Sequence, residues 1–208
     1  MAEKSIPSME LRCLLAEIEE LMGRRSLILL LRQSGLAEYV DWRLPRDDSP
    51  SIAVAQYSLL LANSYFTFGA REARHIFRRT GRLVAAELHH RPLQFAMTGA
   101  ALRLLPAVKS MPYVLQKLAD QGAETYGATC YLYEEADAFF FEIVDCPYCA
   151  EIKRQSQARK QPVTKPVCHI PSAILEETME WVTAEKHLVE EVDCVATGGA
   201  ACRFRISK

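Results

Sequence analysis

The first two-thirds of the chain repeats its apolar positions with a helical period. Between residues 11 and 22, leucine, isoleucine and methionine recur every three or four positions, which predicts an amphipathic helix. Three glutamates are expected on its polar face: Glu17, Glu19 and Glu20. A second apolar helix is predicted after Gly23 and ends near Gly35, because glycine commonly terminates helices.

Three further helices are predicted beyond a polar loop at residues 41–51, which is rich in proline, aspartate and serine. They span the ranges 52–66, 69–88 and 92–121. Pro106 and Pro112 are expected to bend or break the last of these helices, because proline lacks a backbone donor and clashes with the preceding turn.

The pattern changes after residue 125. "ATCYLYEE" and "AFFFEIVD" are rich in aromatic and β-branched residues and predict a β-hairpin. A polar, basic connection then leads to a helix in "PSAILEETMEWVTA", and "HLVEEVD" and "ACRFRI" predict a second hairpin around "ATGG". N-terminal helices followed by β-β-α-β-β predict an α+β fold, in which an antiparallel sheet packs with helices.

Composition and charge narrow the function classes. The 208 residues are 50% hydrophobic and 25% charged, with a net charge of −1, as expected for one globular domain spanning 1–208. This charge argues against direct nucleic-acid binding. The longest aliphatic run, "LILLL", is far shorter than the roughly 20 residues of a membrane span, and the N-terminus lacks the apolar core of a signal peptide. A cytoplasmic location is therefore expected.

The cysteines concentrate at the C-terminal end, where five of the seven follow residue 145. In a cytoplasmic protein, clustered cysteines more often bind metals or carry out redox chemistry than form structural disulfides. They comprise Cys13, Cys130, Cys146, Cys149, Cys168, Cys194 and Cys202.

The last hairpin brings two of these cysteines to the ends of a tight connection. Cys194 and Cys202 are expected to face each other across a glycine-containing turn. Glu191 precedes Cys194 by three residues, which on a regular strand places the two side chains on opposite faces. A shared metal therefore requires a bulge near Asp193. The spacing alone supports a metal site and a plain hairpin with buried thiols equally well.

Residues 166–206 resemble the C-terminal part of the vinyl-4-reductase, or hydrocarbon-binding, domain family. The shared pattern is P-V-C before a helix, then E-x-x-C-x7-C-x-F/I at the end of the domain. That family includes the sensor domains of phenol- and xylene-responsive transcription activators and a protein of bacteriochlorophyll synthesis. The resemblance implies a fold similar to hydrocarbon-binding domains and, more distantly, to TRAPP subunits.

The resemblance also implies a metal site. In the phenol sensors the pattern binds a structural zinc, and its positions correspond here to Cys168, Glu191, Cys194 and Cys202. A shell of four protein ligands leaves no position for an activated water, so such a zinc is structural. Residues 125–208 would then be the sheet and metal-binding part of the domain. His169, beside Cys168, is an alternative ligand or a partner of a ligand.

A second cysteine pair, Cys146 and Cys149 in "DCPYC", has three open interpretations. The pair is compatible with a redox switch, because C-x-x-C geometry lowers one thiol pKa. It is equally compatible with additional metal ligands, including an iron–sulfur cluster completed by Cys168. The third interpretation is a reduced pair at the end of a strand.

A cavity for a small hydrophobic or aromatic ligand is also implied by the family. The apolar and aromatic side chains interpreted as its walls are Phe95, Met97, Leu102, Leu105, Met111, Tyr113, Phe139, Phe140 and Trp181. These features favour a small-ligand binding or sensor protein with a structural zinc. A tetrapyrrole carrier or reductase-associated protein of the bacteriochlorophyll pathway is one alternative, and a thiol or iron–sulfur redox sensor is another.

An enzyme is disfavoured because the sequence contains no phosphate loop, nucleophile elbow or dinucleotide fingerprint. The family further implies a homodimer formed through the helical part at residues 1–50, where the apolar stripe of the first helix offers a surface. A sensor of this length is also expected to pass its signal to a downstream protein partner.

Overall fold

The computed structural model describes residues 4–41, 44–90, 102, 104 and 106–208. These residues form helices and antiparallel strands, which confirms the predicted α+β class. In chain order the elements are β1 (Ser5–Pro7), α1 (Ser8–Met22), α2 (Arg24–Gln33), β2 (Pro50–Ala53), α3 (Val54–Phe68), α4 (Ala70–His89), α5 (Ala107–Tyr126), β3 (Thr129–Glu134), β4 (Ala138–Val144), α6 (Ala150–Arg159), α7 (His169–Thr183), β5 (Val189–Asp193) and β6 (Cys202–Ser207).

The main sheet has the strand order β3-β4-β6-β5, and all neighbours are antiparallel. In its centre Phe141 is opposite Phe204 and Phe139 is opposite Ile206. These four side chains are buried, because alternate residues of a strand face the helices. The short strands β1 and β2 pair separately near the start of α1.

Helices α4 and α7 pack unusually closely. A Cβ atom on Gly81 would lie 2.4 Å from the carbonyl oxygen of Ile170, so only glycine fits at this crossing. The contact is flanked by ion pairs from Arg78 to Glu176 and from Arg82 to Glu177. The start of α7, which carries Cys168 as its N-cap, is thereby held against α4.

The apolar stripe of α1 lies inside the chain. Four of its side chains have no exposed surface: Leu11, Leu14, Leu15 and Ile18. The stripe is therefore core and does not supply the dimer surface expected of it; the homodimer itself stays a prediction. Glu17, expected on the polar face, is only 3% exposed and pairs with Arg79 Nε at 2.5 Å.

Two helices connect the hairpins, where the sequence predicted one. The polar connection after the cysteine pair contains α6, which buries Ile152 against the core. Gln155 Nε2 in the same helix donates to Asn63 Oδ1 at 3.1 Å. The burial of polar groups that find partners explains why apolar periodicity missed this helix.

Of the helix predicted at 92–121, residues 92–101 lie outside the described part of the chain. Helix α5 begins directly after Pro106, which is its N-cap, and continues through Pro112. Within the described ranges, no helix combines the length and the apolar character needed to cross a membrane.

Candidate metal centre and ligand cavity

The five C-terminal cysteines form one buried cluster. Their sulfur atoms lie close together: Cys149 is 3.3 Å and Cys168 is 3.4 Å from Cys202, and Cys146 is 3.5 Å from Cys168. Cys194 is 3.9 Å from Cys202. Each of these cysteines is at most 1% exposed. With zinc–sulfur bonds of about 2.3 Å, two thiolates on one tetrahedral ion lie about 3.8 Å apart, so these separations are of the right size.

Local backbone irregularities bring the donors together. Cys146 follows Asp145, whose φ of 52° turns the chain away from β4. The register of β5 against β6 shifts between Glu191 and Asp193, which confirms the predicted bulge and lets Glu191 and Cys194 share one side. The turn beyond Cys194 also requires a small residue, since a Cβ atom on Gly199 would lie 2.1 Å from Asp193 Oδ1.

Glu191 completes the cluster with a carboxylate. Its Oε2 accepts a 2.8 Å hydrogen bond from the backbone N–H of Cys168. Its Oε1 is buried and has no hydrogen-bond partner among the described residues. Burial, and then the charge on Cys194, raise the pKa of Glu191 to about 9. A carboxylate with a buried, free oxygen beside several thiols is a donor set that could hold a zinc ion.

The neighbouring thiols shift one another's pKa values in opposite directions. Hydrogen bonds from Cys149, Cys168 and Cys202 lower the pKa of Cys194. Burial, together with the neighbouring thiols, raises the pKa of Cys168. The lowered pKa favours the charged form of Cys194, and a bound cation would offset the cost of burying that charge.

Within the described residues, two overlapping groups of four have metal-ligand spacing, with all donor atoms within 4.8 Å of one another. One is the predicted set, Cys168, Glu191, Cys194 and Cys202. The other comprises Cys146, Cys149, Cys168 and Cys202. His169 belongs to neither group, and its pKa is lowered to about 4 by burial and by the nearby Arg74 and Arg78.

A separate, mainly apolar cavity lies between α1, α4, α5, α7 and the sheet. It encloses about 80 Å³ of free space, several times the roughly 10–15 Å³ that one water needs. Among its apolar walls are Met9, Val84, Leu118, Phe141, Ile174 and Leu175.

Of the residues predicted as walls, those that the structure describes do not line this cavity. Phe95, Met97 and Leu105 fall outside the described residues. Four others belong to or pack against the core without lining this cavity: Leu102, Met111, Phe139 and Trp181. Trp181 stacks on His89 with ring centroids 4.4 Å apart. Phe140 is half-buried and Tyr113 is exposed, and neither lines the cavity.

Glu10 is the polar feature that the sequence reasoning missed. It lines the cavity, is 1% exposed, and accepts a hydrogen bond from the Tyr126 hydroxyl through Oε2. Its Oε1 is buried without a hydrogen-bond partner in the described residues. Burial raises the pKa of Glu10, and the hydroxyls of Tyr126, Tyr57 and Tyr148 offset only part of this effect.

The cavity and the cysteine cluster share one loop. Pro147 and Tyr148, both cavity residues, lie between Cys146 and Cys149. The Ser58 hydroxyl donates to the Pro147 carbonyl and fixes the loop to α3. The cavity wall and two cysteines of the cluster are therefore parts of one four-residue segment.

Comparison with known proteins identifies part of the chain. Residues 139–208 match the vinyl-4-reductase domain, which confirms the family resemblance over that segment. The match spans the cysteine cluster and one wall of the cavity. No curated protein sequence matches the chain.

Several solved structures share the fold. The phenol-responsive sensory domain of the transcription activator PoxR, solved with phenol, is 16% identical, with 79% of each chain covered and a TM-score of 0.53. An Fe(II) unliganded H-NOX protein mutant from K. algicida is 11% identical over 98% of this chain and 96% of that one, with a TM-score of 0.63. An H-NOX protein from S. oneidensis in the Fe(II)NO ligation state is 9% identical over 97% and 98%, with a TM-score of 0.58.

Proposed function

We propose that this chain, whose residues 139–208 match the vinyl-4-reductase domain, is a sensor for a small, mainly apolar molecule that carries one hydroxyl or amino group. The observation that carries the proposal is the unpaired Oε1 of Glu10 in an apolar cavity. A buried polar atom without a partner costs about 1–3 kcal/mol, so a molecule that supplies the missing hydrogen bond gains affinity there.

The shape and chemistry of the cavity support a single-ring molecule. Apolar walls take up the hydrocarbon body, while Glu10 and the Tyr126 hydroxyl hold the polar group. The cavity that the described residues form has about 80 Å³ of free space, which suits a single ring better than a tetrapyrrole. The fold is shared with a sensory domain described as phenol-responsive and solved with phenol, which agrees with this ligand class.

The proposal includes a structural zinc held by Cys168, Glu191, Cys194 and Cys202. Held there by four protein ligands, the ion would join the start of α7 to the β5–β6 hairpin as a structural cross-link. The free Oε1 of Glu191, the metal-ligand spacing of the four residues and the lowered pKa of Cys194 support this assignment. An iron–sulfur cluster remains the alternative that metal analysis distinguishes.

Signal output would pass through the shared loop. A ligand that contacts Tyr148 shifts the conformational equilibrium by its difference in affinity for the two states. The altered surface is then read by a protein partner or through a homodimer. Cys146 and Cys149, which flank Pro147 and Tyr148, would respond to ligand binding on either side of them.

The test is calorimetric titration of the metal-loaded protein with phenol and with toluene, in which a methyl group of similar size replaces the hydroxyl group. We expect phenol to bind about 3–10-fold more tightly, because one net hydrogen bond contributes about 0.5–1.5 kcal/mol. Glu10→Gln should abolish the preference, since the variant presents an amide donor in place of the free oxygen.

Glu38→Gln is the matched control, because Glu38 is an exposed glutamate outside the cavity. It should retain the preference for phenol. Equal affinity of the wild-type protein for phenol and toluene, or no binding of either, would overturn the proposed ligand class.

A further inference from the structure

We infer that the cysteine cluster is a binuclear zinc centre, in which Cys168 and Cys202 each bridge both ions. This inference rests on the zinc of the proposed function and adds a second ion to it. The first ion is held by Glu191 and Cys194 together with the two bridging thiolates. The second ion is held by Cys146 and Cys149 together with the same two thiolates.

The count of donors fits two ions and exceeds what one ion needs. Across the described residues, the two groups of four with metal-ligand spacing contain six different residues and share Cys168 and Cys202. A closed zinc site takes four ligands. Two such sites that share two ligands use six, so every donor of the cluster has a place.

The arrangement of the sulfur atoms is that of a doubly bridged pair. The shared sulfurs of Cys168 and Cys202 are 3.4 Å apart. Cys146 lies 3.5 Å from Cys168, and Cys149 lies 3.3 Å from Cys202. On the other side Cys194 lies 3.9 Å from Cys202, and Glu191 accepts from the backbone N–H of Cys168. Each shared sulfur thus has unshared donors on both sides.

A single ion leaves part of the cluster without a role. An ion in the predicted group leaves Cys146 and Cys149 as fully buried thiols with other sulfurs as their hydrogen-bond partners. An ion in the other group leaves the buried Oε1 of Glu191 unpaired. A site with two divalent ions, five thiolates and one carboxylate has the same net formal charge as a site with one divalent ion and four anionic ligands. The second ion therefore adds no net charge to the interior.

The test is the zinc content of the full chain, measured by native mass spectrometry and by elemental analysis. The wild-type protein should carry two zinc ions per chain. The double variant Cys146→Ser, Cys149→Ser should carry one, and Cys168→Ser should lose both because its sulfur is shared. Cys130→Ser, outside both groups, is the matched control and should keep two.

A second measurement needs no variant. Cadmium NMR of the cadmium-substituted wild-type protein should give two resonances that are coupled to each other through the shared sulfurs. Two uncoupled resonances, or one, would overturn the bridged centre.

The outcomes separate this inference from the proposed function. One zinc per chain that is lost in Cys194→Ser but kept in the Cys146→Ser, Cys149→Ser variant overturns the binuclear centre and leaves the structural zinc intact. No zinc, or iron with inorganic sulfide, overturns both assignments. Phenol binding is measured separately and does not decide between these results.

Discussion

Two glutamates each have one buried oxygen without a hydrogen-bond partner among the described residues, but in different surroundings. Glu10 and Glu191 each have one oxygen that accepts a hydrogen bond, from the Tyr126 hydroxyl and the Cys168 backbone N–H respectively. In each, the other oxygen is buried and lacks a hydrogen-bond partner among the described residues. Burial raises the pKa of both carboxyl groups.

The neighbours decide what each free oxygen can bind. Around Glu10 they are tyrosines and aliphatic side chains, which favour a neutral molecule with an apolar body. Around Glu191 they are thiols, one of which has a lowered pKa, and this favours a cation. The comparison teaches that an unpaired buried carboxyl oxygen marks a candidate site, and that the side chains around it indicate which class of ligand to test.

Removal of metal should have the largest effect, and it should destabilise the metal region before the cavity region. Structural zinc contributes about 10–16 kcal/mol to the folding of zinc-finger peptides, so chelation should lower the free energy of unfolding by more than about 5 kcal/mol. Hydrogen exchange should accelerate first in the β5–β6 hairpin and at the start of α7, and later in α1 around Glu10. Uniform acceleration across the chain would contradict this order.

Glu191→Gln should weaken metal binding without changing the ligand preference. Loss of a partner that merely orients a ligand costs about 10–100-fold in metal affinity, and loss of the ligand itself should cost at least as much. Competition with a chromophoric chelator measures the change. Glu10→Gln is the reciprocal control, and a similar loss of zinc in that variant would show that the two sites are not independent.

Gly81→Ala should damage both regions together, because α7 carries Cys168 at its start and cavity residues in its first turns. The added Cβ atom meets the Ile170 carbonyl oxygen, and such overpacking costs about 1–3 kcal/mol. Denaturant unfolding measures the loss. Gly122→Ala, where the new atom would lie 3.3 Å from the Cys130 sulfur, should cost less, and equal losses would contradict the close helix contact.

The pH dependence of stability should show the smallest effect. The folded state raises the pKa of Glu10 above 4.5, so it holds this proton more tightly than the unfolded state does. Its contribution is fully present below about pH 4.5 and is lost as the pH rises toward the folded pKa, at no more than about 1.4 kcal/mol per pH unit.

The groups that face Glu10 are Tyr57, Tyr126, Tyr148 and Asp48. Glu10→Gln should flatten the slope on the alkaline side of pH 4.5 in chemical unfolding measured across pH, whereas Glu38→Gln should not. An unchanged slope in the Glu10 variant would assign the pH dependence to other groups.

Sequence reasoning reached the metal region through the family pattern that Cys168, Glu191, Cys194 and Cys202 match, because the spacing alone supported a metal site and a plain hairpin equally well. The bulge between Glu191 and Asp193 was predictable, since a regular strand would have separated Glu191 from Cys194. The convergence of Cys146 and Cys149 on Cys168 and Cys202 was only one of three open interpretations. It depends on a turn at Asp145 and on contacts between distant elements.

Sequence reasoning did not identify the residues of the cavity, for a physical reason. Glu10 stands beside apolar positions of α1, and one carboxylate in such a stripe resembles a surface residue in sequence. The one available signal was its spacing of four from Leu14, an apolar position of the stripe that is buried. Helix α6 was missed because its buried Gln155 is polar and finds a partner on α3.

The placement of Pro147 and Tyr148 has a consequence for protein engineering. These two positions contribute to two structures at once, so a substitution there would disturb thiol geometry while altering the cavity. The facing wall is formed by Met9 on α1 and by Leu118 and Gln121 on α5, and these three residues line the cavity but belong to neither group of metal ligands. Libraries that retarget this protein to new analytes should therefore randomise the α1 and α5 side and leave the loop unchanged.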